Sequence, residues 1–198
     1  MPMSHVLYPL RFEPIYQYRL WGGRRLADLL TAPLPGDGPI GEAWVLSDRD
    51  DHPSHVANGP LKGRTIGQLL EQSPEQLLGK LAGRFRRFPL LLKFLDAREM
   101  LSVQVHPSDA HTDLLPAGET GKTEAWVVLE AGTKSRIYAG LKPGTTADDL
   151  RRALTSGQWR TASYASIRSP ATASSCRLGQ FTLWATTSWC SRFSRTAT

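Results

Sequence analysis

The residues able to do chemistry are concentrated in two neighbouring stretches. One is Leu101-Ser-Val-Gln104-Val-His106-Pro107-Ser-Asp109-Ala-His111, and the other is Gly121-Lys122-Thr123-Glu124-Ala-Trp126. Gln104 and His106 are two apart, so on a strand they share a face, while Val103 and Val105 take the other. A polar pair backed by apolar residues suits a strand that lines a pocket. Glu124 opens the next apolar run, after a loop containing Gly118 and Gly121. If these strands pair, an amide, an imidazole and a carboxylate converge. That donor set suits zinc, and equally manganese or iron. The same residues also suit a simple hydrogen-bonded pair. Lys122 either lies on the surface or projects into the same pocket to meet an anion. His111, two after Asp109, reads as part of a helical turn. His5, His52 and His55 fall in polar or terminal segments and read as solvated, as does the basic run Arg84, Arg86 and Arg87.

The elements that must hold these residues are mostly strands. Leu7 to Tyr18 reads as extended, Trp21-Gly22-Gly23 as a turn, and Arg24 to Leu30 as a short helix. Strands are expected over Gly41–Ser47, Leu90–Leu95, Leu101–Val105, Ala125–Glu130 and Ile137–Leu141. Lys93 interrupts the otherwise apolar run at Leu90–Leu95. Thr65 caps one helix to about Gln72. Ser73, with Pro74 at the first helical position and Gln76 at the third, starts another to about Leu81. Thr146 and Asp149 signal a helix over Asp148–Leu154. Trp44 and Trp126 are expected in the core. Strands outnumber helices, and the helices cluster at 65–82. The expected class is therefore mainly β, a sandwich or barrel with a small helical insertion.

The chain has 198 residues, enough for one domain with a sizeable core. No apolar run is long enough to span a bilayer, and the first residues lack a basic segment followed by an apolar one. The expected compartment is the cytoplasm. The net charge of +6 is localised: Gly157 to Thr198 holds five arginines and no acidic residue. The remainder is nearly neutral, which argues against nucleic-acid binding by the body. Both cysteines, Cys176 and Cys190, also lie in this tail, so no disulfide framework is expected in the body.

Several ordered blocks together resemble type I mannose-6-phosphate isomerase, a phosphomannose isomerase family of the cupin superfamily. They are Trp21-Gly22-Gly23, Gly41-Glu42-Ala43-Trp44-Val45-Leu46-Ser47, Pro89-Leu-Leu-Leu-Lys93-Phe94-Leu95-Asp96-Ala97, the Gln104–His106 stretch, Gly121–Trp126, and Tyr138-Ala139-Gly140-Leu141. The resemblance implies an incomplete cupin-type jelly-roll β-sandwich over residues 1–156. It implies zinc on Gln104, His106 and Glu124, with Lys122 in the substrate pocket. The implied activity interconverts mannose 6-phosphate and fructose 6-phosphate through an enediol. The partner is then a small sugar phosphate, with no nucleic acid and no membrane. A non-catalytic zinc- or sugar-binding cupin module is one alternative. An interaction protein driven by its basic arm is another.

The resemblance stops near residue 155. The family carries a segment of the form PAGTVHA, whose histidine is a fourth zinc ligand, and a downstream arginine. Here no histidine follows His111. Half of residues 157–198 are Ser, Thr or Ala, three of the six Trp lie there, and no period organises the apolar positions. Residues 157–198 read as an out-of-frame, disordered basic tail. The genetic code tests this. Take each intended codon as the third base of one printed codon plus the first two of the next. Trp184 before Ala185 then forces glycine, and Trp189 before Cys190 forces valine. Phe181 before Thr182 permits only His or Tyr. With favourable third bases, Ser169 to Thr198 reads PGDCVFLPAGTVHALGDDLVVFEVQQNSD. That string contains the missing segment, with its histidine at the Phe181/Thr182 junction. The change of frame falls near Thr155 to Trp159.

Overall fold

Every second residue of one strand, Leu91, Lys93, Leu95 and Ala97, is buried, and this alternation organises the larger of two sheets. The structure is a computed structural model that describes residues 7–101, 104–105, 113, 124–132, 135–166, 173–176, 181–185 and 188–195. In chain order, β1 (Ile15–Gly23), α1 (Leu26–Leu29), β2 (Ile40–Leu46) and the short pair β3 (Asp48–Arg49) and β4 (His52–Pro53) lead to the helices. These are α2 (Ile66–Gln72), α3 (Pro74–Leu78) and a 3-10 turn (Gly79–Leu81). Then come β5 (Leu90–Ala97), β6 (Gln104–Val105), β7 (Glu124–Ala131), β8 (Arg136–Leu141), α4 (Ala147–Thr155) and α5 (Trp159–Ala162). The last strands are β9 (Ser163–Ser166), β10 (Ala173–Cys176), β11 (Phe181–Ala185) and β12 (Ser188–Arg195).

Six strands form the larger sheet in the order β1-β2-β5-β12-β7-β10, and four form the smaller in the order β6-β11-β8-β9. The core between them joins Leu95, Ala97, Trp126 and Val128 of the first sheet to Ile137 of the second. The outer side of the larger sheet is covered by α1. There Leu26, Ile40 and Ala43 pack with Phe94. The helices after residue 65 close a third cluster of Val56, Leu61 and Leu69 against Leu7, Tyr8 and Phe12. Thr65 and Thr146 each begin their helices with a reciprocal capping box, as their spacing to Gln68 and Asp149 predicts. The mainly-β class and the helical insertion at 65–82 are as expected.

One expectation differs from the structure. Trp21-Gly22-Gly23 is not a turn but the end of β1. Gly22 pairs with Ala97, and the Trp21 carbonyl accepts the Arg98 and Glu99 N–H groups at 2.9 and 3.1 Å. The glycine makes this possible: a side-chain carbon on Gly22 would run into the Gly41 backbone. Residues 157–198 are described only in part. Their described parts form α5 and β9–β12, and β12 lies between β5 and β7.

Gly22→Ala should therefore press β1 away from β2 and lower the stability by about 1–3 kcal/mol. Urea unfolding of the variant checks this, and an unchanged midpoint would contradict the close approach.

Candidate active site

Cross-strand register fixes which residues share the inner face of the larger sheet. One row runs Trp44, Lys93, Arg192, Trp126 across β2, β5, β12 and β7. The next rows along pair Glu42 with Leu95, and Leu91 with Ser194 and Glu124. Since Trp126, Val128 and Leu95 belong to the core between the sheets, Glu42, Lys93 and Glu124 are on that same side. Three ionisable side chains are thus buried between two sheets, where an unpaired charge is expensive.

Glu42 and Lys93 neutralise each other. The Lys93 ammonium donates to Glu42 Oε1 at 3.0 Å, and the Trp44 indole N–H donates to Oε2 at 2.7 Å. Arg19 approaches the same oxygen at 3.5 Å. The Lys93 ammonium also lies 5.6 Å from the centre of the Trp44 ring, within cation–π range. Burial alone would raise the Glu42 carboxyl. The Lys93 charge and the bonds from Trp44 and Lys93 outweigh it, so Glu42 is held below the ordinary carboxylate range. The His52 ring is tilted 54° against Trp44 with ring centres 5.2 Å apart, and its Nδ1 lies 2.9 Å from Asp51. It is only partly solvated. His55 is exposed, as expected.

Glu124 begins β7 and is 2% exposed. It is in register with Cys176 of β10 and Ser194 of β12. Gln104 is on β6 in the smaller sheet, in register with Thr182, which in turn pairs with Ala139 of β8. Ala139 is two residues from the core residue Ile137. Lys122 and His106 lie outside the described residues, as do His5 and His111. Among the described residues no group of three or more His, Cys, Asp or Glu is gathered as a metal cluster. A buried carboxylate on the face between the sheets fits a cation, and the amide, imidazole and carboxylate donors of Gln104, His106 and Glu124 fit zinc by type.

Sequence reasoning passed over the Glu42–Lys93 pair. Its signals were present: a lysine inside an apolar run, and a glutamate two residues before a tryptophan in another. A charge at a core-facing strand position implies a partner of opposite charge.

The fold is a two-sheet, open β-sandwich whose inner face carries buried carboxylates and a lysine. The family description Phosphomannose isomerase type I, catalytic domain, matches residues 10–125, and the chain belongs to that family. It is 40% identical over 152 residues to the mannose-6-phosphate isomerase ManA of Bacillus subtilis, which covers 76% of this chain and 46% of that protein. It is 36% identical over 151 residues to the mannose-6-phosphate isomerase of Streptococcus mutans, with the same coverage. The chain thus spans about half the length of these relatives. The crystal structure of the B. subtilis mannose 6-phosphate isomerase superposes with a TM-score of 0.87 at 29% identity, over 97% of this chain and 60% of that one. The expected cupin-type fold is the one shared with that structure, with the sheets left open. Sequence likeness thus reaches about three quarters of the chain and likeness of fold nearly all of it.

Lys93→Met should destabilise the fold by about 3–5 kcal/mol, because it leaves Glu42 buried without its counter-charge. Adding Glu42→Gln should recover much of that loss. The sign of the pH effect follows from Glu42. Its lowered value stabilises the native fold above the ordinary carboxylate range, and this is lost as pH falls through that lowered value. In the single variant burial raises Glu42 instead. The stability gap between variant and parent should be widest at neutral pH and narrow as the solution is acidified. Urea unfolding at three pH values measures it, and a gap that widens in acid would exclude the assignment.

Proposed function

We propose that the chain derives from a zinc-dependent aldose-ketose isomerase that interconverts mannose 6-phosphate and fructose 6-phosphate. The observation that carries this reading is the catalytic-domain match over residues 10–125, which contains Gln104, His106, Lys122 and Glu124 together. A cytoplasmic setting, a sugar-phosphate substrate and no nucleic-acid or membrane partner belong to the same reading. Among the described residues, no helix is long and apolar enough to cross a membrane.

In this reading Gln104, His106 and Glu124 hold the metal, and Lys122 meets the phosphate or the enediolate. When bound, the ion supplies Lewis-acid stabilisation to the oxygens that become negative as the C2 or C1 proton leaves. The two walls of the sandwich exclude water, which strengthens every charge interaction inside. The Glu42–Lys93 pair keeps a fixed dipole on the same face without adding net charge. Proton transfer between C1 and C2 requires a base within hydrogen-bond reach of both carbons.

We further infer that residues 157–198 are read out of frame. The register of the sheets supports this independently of the decoded string. Phe181 and Thr182, whose junction decodes to histidine, are in register with Val105 and Gln104. Arg192 is in register with Lys93 and Trp126. With one base restored, the Ser191/Arg192 junction falls at position 192, where the decoded string carries glutamate, the charge opposite to that of Lys93. The Trp189/Cys190 junction is forced to valine, where Cys190 is in register with Leu95 and Val128. An apolar residue thus returns to a position beside the core.

Resequencing the native gene from the codon for Leu150 to that for Ser175 should reveal one additional base. The chain as printed should show little or no turnover of mannose 6-phosphate with added zinc, and should hold zinc weakly by metal analysis. The frame-restored chain should hold one ion per chain. Turnover by the printed chain equal to that of an intact relative would sink the frame reading. Absence of both turnover and zinc in the frame-restored chain would instead favour a sugar-binding module.

A further inference from the structure

A cavity of about 460 Å³ opens at the end of the larger sheet away from Glu124. Its lining includes Gly22, Gly23, Arg24, Asp96, Arg98 and Glu99. It is remote from Glu124. The Glu124 row meets β5 at Leu91, and Ala97 is six residues further along, about 20 Å at strand spacing. It is also on the other side of the sheet, because Asp96 alternates with the core-facing Leu95 and Ala97.

The polar groups here are held in place before any ligand arrives. Asp96 is 3% exposed, and its Oδ2 accepts the Arg25 N–H at 2.8 Å. Burial raises its carboxyl above the ordinary range, against the opposing pull of that bond and of the Arg25 charge. Gly23 leaves room above it, since a side-chain carbon there would stand 2.5 Å from Oδ2. The Arg24 guanidinium donates to the carbonyls of Gly38 and Pro35 at 2.9 and 3.3 Å, which fixes its position. The Arg98 and Glu99 N–H groups both bond the Trp21 carbonyl, which fixes the lip. Leu20, 79% exposed, and Pro39 supply an apolar wall.

A buried carboxylate takes hydroxyl donors, a fixed guanidinium takes an anion, and an apolar wall takes the C–H face of a ring. Arg25 and Asp37 also line the cavity, so its three basic residues are balanced by three acidic ones. That balance disfavours a bare anion and favours a ligand carrying both kinds of group. We propose that this cavity is a second binding site, for a small phosphorylated polyol such as a sugar phosphate, separate from the site between the sheets. Its volume is that of a small-metabolite pocket.

The test uses the full chain carrying Glu124→Gln in the presence of a chelator, so that the first site is disabled. Fructose 6-phosphate is titrated while the Gly22 and Gly23 amide resonances are followed. Saturable shifts are expected, with inorganic phosphate at least tenfold weaker. Arg24→Ala should weaken binding about tenfold or more. Asp96→Asn, which keeps an acceptor for the Arg25 N–H, should do the same while the chain stays folded by circular dichroism. Three outcomes would overturn the proposal: no saturation, equal binding of inorganic phosphate, or affinity unmoved by both variants. None of these touches the isomerase reading, which fails only on turnover and zinc in the frame-restored chain with Glu124 intact.

Discussion

The Glu42–Lys93 pair constrains most of what surrounds it. A lysine in the middle of a buried strand is tolerable only if its ammonium is neutralised and bonded. That requirement ties β2 to β5, because Glu42 must stand one register row from Lys93. It also places Trp44, whose indole N–H takes the second carboxylate oxygen and whose ring lies beside the ammonium. An ion pair of this kind contributes little net stability against an apolar alternative. Glu124 stands on the same face, buried between the sheets.

Backbone packing supplies the second constraint. Gly22 and Gly41 bring β1 and β2 closer than residues with side chains allow, and this lets the end of β1 pass over β2 to reach β5. The same crossing brings Gly23 against Asp96 and shapes the cavity at that end. One pair of glycines thus serves both the continuity of the sheet and the opening of a pocket on its outer side.

Much of the fold was legible because its signals are local. Alternation in β2, β5 and β7, and the capping boxes at Thr65 and Thr146, each depend on residues within a few positions of one another. Trp21-Gly22-Gly23 misled because glycines commonly mark turns, whereas here they mark a close approach to a strand distant in sequence. The spacing of Gln104, His106 and Glu124 raises a metal site as a proposal, and Glu124 is buried on the face between the sheets. The Glu42–Lys93 partnership was not, since 51 residues separate its members and only the register joins them. Gln104 and Glu124 likewise belong to different sheets, a relation that spacing alone does not convey.

The tail reverses this relation between sequence and fold. Its composition carries no strand period, yet its described residues run as strands, and β12 occupies a central position. A central strand is flanked on both sides and demands apolar residues on its core-facing positions. The printed residues meet that demand poorly: Arg192 stands in register with Lys93. The displaced frame meets it two residues away, where the Trp189/Cys190 junction must be valine, in register with Leu95 and Val128. A coincidence of wobble choices can produce a familiar string, but it cannot produce a forced apolar codon at a core register. The body of the chain, with Leu95, Trp126 and Val128 lining one face, thus carries a template for the strand that belongs there. What the tail lacks is the side chains to match it.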